Sequence, residues 1–353
     1  AYAIATAAIQ ICRIYRWDIL IKPFARISKR ALFRISSVGF LLILALPLRL
    51  GEFARPYMLK KEAKVPMTSG LGSIVVEGSK GDEVIVRIVK GMNGGNESDA
   101  DAAFERFALT LDGSSRGVEI IGRYDRPNNW RGWGNRSLQV RFIVEVPEDI
   151  DVDLKTAGGS IQVTDIAGEA LVHTSGGSIT LDDIGGITEA HTSGGSIEAR
   201  RLGERSKLRT SGGSIKVADA GGPVDCQTSG GSITIDRAEG DVDCETSGGS
   251  IRLTQIAGAV NASTSGGSIE AEVLGQPDQD MTLRTSGGTV TIRLDEDIQA
   301  DIDAQASGGS VKSDISVAVR GEIKRDRLQG EMNGGGPLLT LRSSGGGVRI
   351  LEN

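Results

Sequence analysis

Aromatic residues make up only 4% of this 353-residue chain, and cysteine appears three times. So few rings exclude a large globular core built from bulky side chains. So few cysteines leave no disulfide framework and no Cys-x-x-Cys pair: Cys12 sits in an apolar stretch, while Cys226 and Cys244 lie one repeat apart. Net charge is −6, with no acidic or basic run in the repetitive part, so no nucleic-acid partner is expected. Long apolar runs are scarce as well. The uncharged stretch Ile35–Leu48 covers 14 residues, short of the roughly 20 that a spanning helix needs. The chain opens Ala1-Tyr2 inside an apolar run, with no Met and no legible signal peptide. It reads as incomplete at its N-terminus.

Glycine, by contrast, is abundant at 49 residues, and it recurs on a fixed period. The first glycine of a Gly-Gly pair falls at Gly158, Gly176, Gly194, Gly212, Gly230, Gly248 and Gly266, each 18 residues after the last. Gly287 and Gly308 follow at spacings of 21, and a last Ser-Gly-Gly starts at Ser344. Around each pair the chain repeats Thr-Ser-Gly-Gly-Ser-Ile. Apolar columns accompany the period: Ile161 to Ile269 three residues after the glycine, Val163 to Ala271 two further on, Ile166 to Leu274 eight after it, and Val172 to Ala262 four before it. Apolar and polar positions alternate within a repeat, as in a strand with one buried face. One repeat cannot cover that face alone, but identical repeats stacked ~4.8 Å apart can.

The expected fold class is therefore all-β: a single-stranded parallel β-helix, a solenoid of 18-residue coils. It carries a β-rich N-terminal cap and a short α-helical, membrane-associated N-terminal segment. The segments are residues 1–66, membrane-associated; 67–153, capping; and 154–353, the solenoid with its C-terminal cap. Strands are expected around Ile74–Glu77, Val84–Val89, Val118–Ile121 and Leu138–Val146, with a short helix near Asp99–Leu109. The Gly-Gly pair reads as a corner requiring positive φ. The Thr column, Thr174 to Thr264, reads as a hydroxyl ladder at that corner. A second bend falls at Gly168, Gly186, Gly222, Gly240 and Gly258, with Glu204 in its place in one repeat.

Two resemblances follow from these residues. The Ser-Gly-Gly-Ser-Ile coils, a strand-rich entry ending in Val146-Pro147-Glu148, and the closing run Asn333–Pro337 together resemble the bacterial putative-adhesin family of β-helical domains of unknown function, over residues 72–353. That resemblance implies a β-helix without catalytic residues and an adhesive role. In the first 77 residues, Arg16-Trp17, the run Leu46–Leu59 and Gly70–Glu77 are similar to the start of the lysylphosphatidylglycerol synthase transmembrane-region family, which are flippase-like membrane proteins. The pattern Pro47, Arg49, Gly51, Glu52, Arg55 would there meet a lipid headgroup, making Arg49, Glu52 and Arg55 candidate headgroup residues. The chain reads as a fusion of the two. Basic residues flank Ile35–Leu48 on both sides, from Arg13 to Arg34 and from Arg49 to Lys64. They suit a segment that dips into a bilayer and returns.

Several chemical sites are weighed and mostly set aside. His173 and His191 share an outward column near Glu189, a pairing seen in metal sites but more often in exposed surface histidines. Cys226 and Cys244 fall in an inward column and read as small buried hydrophobes. Calcium-binding β-rolls require GGxGxDxUx, whereas Gly176 onward reads GGSITLDDI, with Ile179 and Leu181 at the glycine and aspartate positions. Asp225 and Asp243 align outward and read as a solvated face. Trp130, Arg131 and Trp133 form an irregular patch suited to a sugar or protein partner, or to packing over the solenoid end.

No catalytic residue, cofactor or metal is assigned. The expected function is a non-catalytic, adhesin-like scaffold in the bacterial envelope, membrane-tethered, with the side of the membrane left open and with itself, a protein or a glycan as partner. The alternative is a membrane lipid-handling protein with an appended solenoid. A polysaccharide-active enzyme would need a groove of acids that the repeating columns do not single out.

Overall fold

The computed structural model describes residues 64–69, 72–93, 105, 107–114, 117–124, 137–320 and 324–353. Every named element is a β-strand. The strands form two compact units, one up to Thr156 with Ile166–Glu169, the other Ala157–Asp165 with Ala170–Asn353. Residues 1–63 of the expected membrane-associated segment lie outside the described residues, and its last three, Lys64–Pro66, belong to a strand.

Unit one holds β1 (Lys64–Ser69), β2 (Ser73–Ser79), β3 (Ile85–Asn93), β4 (Phe107–Ser114), β5 (Gly117–Tyr124), β6 (Ser137–Pro147) and β7 (Asp151–Thr156). One sheet runs β7-β1-β5-β4 and the other contains β2-β6-β3. The four expected strands are present. The expected helix near Asp99–Leu109 is met at Glu105, which is helical, and corrected at its end: from Phe107 onward the chain is β4, paired antiparallel with β5 from Phe107↔Tyr124 to Ser114↔Gly117. The remainder of that stretch, apart from Glu105, lies outside the described residues. Pairing with β5 overrides the local helical preference. The first strand, β1, is parallel to both β5 and β7 and buries Val65 and Met67 completely.

Unit two repeats a two-strand coil. Its first coils are β8 (Ile161–Ile166) with β9 (Ala170–Thr174), β10 (Ile179–Ile184) with β11 (Thr188–Thr192), and β12 (Ile197–Leu202) with β13 (Ser206–Thr210). Next come β14 (Ile215–Val217) with β15 (Val224–Thr228), β16 (Ile233–Ile235) with β17 (Val242–Thr246), and β18 (Ile251–Ile256) with β19 (Val260–Thr264). Then follow β20 (Ile269–Val273), β21 (Met281–Thr285) and β22 (Val290–Leu294). Even strands pair in register with even, and odd with odd, all parallel: Ile179↔Ile197↔Ile215↔Ile233↔Ile251 is one such row. The isoleucine row is at most 1% exposed from Ile161 to Ile269. Each such side chain contributes roughly 1.5–3 kcal/mol by leaving water, far more than an exposed ion pair's ~0–1 kcal/mol.

The apolar spacing changes from two to three after Val163 because the next residues bulge. Asp165, Asp183, Arg201 and Gln255 adopt φ between +50° and +59°, turning the following Ile166, Ile184, Leu202 and Ile256 inward. One expected core residue does not follow. Leu274 is 37% exposed, and Val273 is fully buried in its place, paired with Ile256. In β20 the alternation runs on without the bulge, so the odd position takes the core.

The Gly-Gly corner also differs from expectation. Among the described glycines only Gly72, Gly275, Gly334 and Gly335 have positive φ, and none belongs to a coil pair. Room is the reason for glycine. A Cβ on Gly177, Gly195, Gly213, Gly231, Gly249 or Gly267 would lie 2.0–2.1 Å from the carbonyl oxygen of the matching glycine one coil earlier. The first glycine of each pair is less confined, at 3.4 Å for Gly212. Threonine then fastens the corner. Thr192 donates Oγ1–H to the Gly177 carbonyl at 2.7 Å and accepts from Gly195 N–H at 3.3 Å. The same pair of bonds recurs from Thr174 to Thr264, then at Thr285 and Ser343. The expected hydroxyl ladder is thus a row of hydroxyls bonded to backbone, each joining two coils. Outside it, Ser196, Ser214, Ser232, Ser250 and Ser268 each donate their N–H to the serine Oγ of the coil before.

The two glycines of a pair should therefore respond differently to a methyl group. Gly213→Ala is expected to cost about 2–3 kcal/mol by forcing the coils apart, and Gly212→Ala about 1 kcal/mol or less. Urea unfolding followed by circular dichroism measures both. Equal losses would contradict the close-approach account.

Candidate functional site

The outward residues of the odd strands form in-register columns. In one, His173↔His191↔Arg209↔Gln227 continues to Glu245. In the next, Glu189↔Lys207↔Asp225↔Asp243↔Asn261. Parallel register puts identical or opposite charges on adjacent rungs, so the sequence of each column decides attraction or repulsion.

The structure brings His173 and His191 together as the column predicts. Their rings stack with centroids 4.9 Å apart and 9° between planes. Glu189 is turned to Lys207, at 3.8 Å. Among the described residues no three His, Cys, Asp or Glu side chains gather as a metal site. Burial, then the neighbouring His173 and Arg209, lowers the His191 pKa below the ordinary imidazole value. The pair is a stacked surface element in which His191 is biased toward its neutral form.

Asp225 and Asp243 are not simply a solvated face. With Arg205, Lys207, Asp241 and Asn261 they line a depression of about 380 Å³, floored by Val224 and Val242. Burial, then Asp225 and Glu245, raises the Asp243 carboxyl above the ordinary carboxylate value. Arg209 reaches Asp225 at 3.4 Å. Asp241 is committed to structure: it accepts from Ala259 N–H at 2.9 Å and from Gln279 Nε2 at 2.9 Å. Ser206 Oγ is buried and donates to the Glu204 carbonyl at 3.3 Å. What remains is a mixed-charge recess suited to hydrogen bonding and charge recognition. Sequence reasoning passed over it because its corner column, Ile187, Arg205, Pro223, Asp241, does not repeat. The irregular Glu204 and Gly221-Gly222-Pro223 were the available signal.

Behind these columns Cys226 and Cys244 face the core with free thiols. Burial, with a hydrogen bond to Cys226, pushes the Cys244 thiol well above its usual range, so it stays protonated and inert. Ile179 and Leu181, the residues that break the calcium pattern, are fully buried. Arg49, Glu52, Arg55, Trp130, Arg131 and Trp133 lie outside the described residues.

With this geometry in hand, comparison with known families is decisive for one part of the chain. Toastrack DUF4097 matches residues 108–350. The chain belongs to the Toastrack DUF4097 family. The lysylphosphatidylglycerol synthase TM region matches residues 1–79. Its last described stretch, β1 and β2, belongs to the sheets of the first Toastrack-side unit. Comparison with curated proteins gives no match.

Three solved structures resemble the Toastrack chain remotely. A putative cell adhesion protein from Clostridium sporogenes is 10% identical, with TM-score 0.20, covering 83% of this chain and 93% of its own. A putative adhesin from Bacteroides fragilis is 9% identical, with TM-score 0.27 and coverages of 82% and 93%. A putative lipid binding protein from Parabacteroides distasonis is 13% identical, with TM-score 0.30 and the same coverages.

The raised Asp243 carboxyl sets a pH dependence. A carboxyl raised in the folded state is stabilising only below its unfolded value, and that contribution is lost as pH rises. Asp243→Asn removes the charge, so its urea midpoint should exceed the parent's at pH 7, with the gap closing as pH falls below the ordinary carboxylate range. A lower midpoint at pH 7 would show the carboxylate to be favourably paired.

Proposed function

We propose that this Toastrack protein is a non-catalytic scaffold, tethered to the bacterial envelope through its N-terminal segment, that presents rigid ladder faces to a protein or glycan. One observation carries the reading. Outward side chains stand in fixed register on strands locked by the glycine corner, so the surface is a pre-ordered array that loses little entropy on binding. Its charges are spread along columns and paired largely with one another, as in Lys207–Glu189 and Arg237–Asp219. A catalytic site converges a few unengaged groups in a pocket, whereas in the recess beside Asp243 two of the carboxylates are already held, Asp241 by Ala259 and Gln279 and Asp225 by Arg209. Among the described residues no helix is long and apolar enough to cross a membrane. In this reading the tether lies within residues 1–63, supported by the family match over residues 1–79 and by the basic residues flanking Ile35–Leu48.

The same match favours a second reading, lipid handling by the N-terminal segment with the solenoid as an appendage. Flotation of the full chain with phosphatidylglycerol vesicles separates the two. The scaffold reading expects the chain to float, and the triple variant Arg49→Ala, Glu52→Ala, Arg55→Ala to float equally well without any change in lipid distribution between leaflets. Loss of flotation in that variant, or lipid movement abolished by it, would favour lipid handling. A full chain that stays at the bottom of the gradient would remove the tether.

A further inference from the structure

The C-terminal strands are threaded out of order. After β22 the chain continues as β23 (Ala300–Ala306), β24 (Val311–Ser313), β25 (Ala318–Val319), β26 (Arg327–Met332), β27 (Leu338–Ser343) and β28 (Val348–Glu352). The sheets run β21-β27-β23-β26-β25 and β22-β28-β24. The last rung in sequence, β27 with β28, therefore sits between β21–β22 and β23–β24. The glycine corners stack in the same order, Gly346 on Gly288 and Gly309 on Gly346. The chain skips one layer through Asp295–Gln299, builds the outer coil and its β25–β26 hairpin, and returns over the end of β23 to fill the gap. Asn333–Pro337 makes that return. Gly334 and Gly335 take φ of +96° and +81°, Gly336 has no room for a Cβ against the Gln299 carbonyl, and Asn333 Nδ2 donates to Glu296 and Ile298 carbonyls at 2.8 and 2.9 Å.

Residues 300–353 are thus a module fixed to the coils below through its own innermost rung. Strand β27 pairs with β21 and β28 with β22, five register pairs each, whereas β23 and β24 pair only within the module. Leu339, Leu341, Val348 and Ile350 are all fully buried. Ser343 repeats the corner clamp onto the Gly288 carbonyl at 2.7 Å, and Leu338 N–H donates to Asp280 at 2.8 Å. Inside the module, Arg342 holds Asp303. The only covalent connection is the strandless linker Asp295–Gln299.

We propose that the β21–β22 end is a strand-docking surface whose partner is a second copy of this chain. The β27–β28 rung of one molecule docks on β21–β22 of the other, with residues 300–353 exchanged as a unit. The surface and its ligand are already complementary within one chain. Exchange repeats every pairing in trans and alters only the linker, the condition under which swapping is cheap. The inference deepens the self-assembly side of the scaffold reading. Failure here leaves binding through the ladder faces and the tether untouched.

Thr291 and Arg349 are register partners across β22 and β28, and both face outward. In the full chain with Cys12→Ser, Thr291→Cys is placed in one sample and Arg349→Cys in another. The two are unfolded together in detergent, refolded and oxidised. Exchange predicts a disulfide-linked species of twice the chain mass containing one of each variant, enriched when Glu296 and Asp297 are deleted to strain the linker. The single chain carrying both substitutions closes its own disulfide and shows the geometry to be competent. If that control closes while the mixture yields no cross-linked dimer, with or without the deletion, exchange is overturned.

Discussion

Everything in the second unit depends on how closely consecutive backbones approach at the Gly-Gly corner. A methyl group on the second glycine would lie 2.0–2.1 Å from the carbonyl below through six successive coils, well inside van der Waals contact. Backbone lies directly on backbone there, and the buried threonine hydroxyl supplies the hydrogen bonds that such a dense corner would otherwise leave unmade. With the corner fixed, the isoleucine beside it has one place to go, and register propagates along both sheets. A slip of one residue would present methyl groups and side chains where only a hydrogen fits. The corner is thus a device for register as much as for stability.

The same constraint explains what the surface can and cannot do. Side chains on the odd strands are delivered in columns, and neighbours one coil apart are always side by side. Like charges then meet unless the sequence alternates, as at Asp225 and Asp243, where burial first and the neighbouring Asp225 second raise the Asp243 carboxyl. Stacked His173 and His191 meet for the same reason. A column can build a patterned face readily. Bringing three different chemistries to one point requires breaking the period, and the recess around Arg205 and Asp241 forms where the corner column is irregular.

Most of the solenoid was legible because its period is written in single residues: the glycine spacing, the isoleucine row and the threonine column each map onto one structural position. The reason for the glycines was not legible, since tight approach and positive φ leave the same mark in a sequence. Leu274 was misplaced because the bulge that turns Ile256 inward is absent one coil later, and adjacent Val273 serves equally well. The helix expected near Asp99–Leu109 overruns into the first three residues of β4 because the edge pairing of that strand with β5 is a long-range fact. The out-of-order C-terminal rung was hidden because nothing in a repeat states which neighbour it will lie against. Only the Asn-Gly-Gly-Gly-Pro run marked a return.

Amide hydrogen exchange at the second corner glycines tests the central claim most directly. Gly195, Gly213, Gly231 and Gly249 sit in turns, where N–H groups ordinarily exchange fast, yet each donates to a buried threonine beneath a neighbouring coil. The account predicts protection equal to that of the Ile197 to Ile251 strand amides, lost together with them in a single cooperative unit. Rapid exchange at these glycines while the strands stay protected would contradict it.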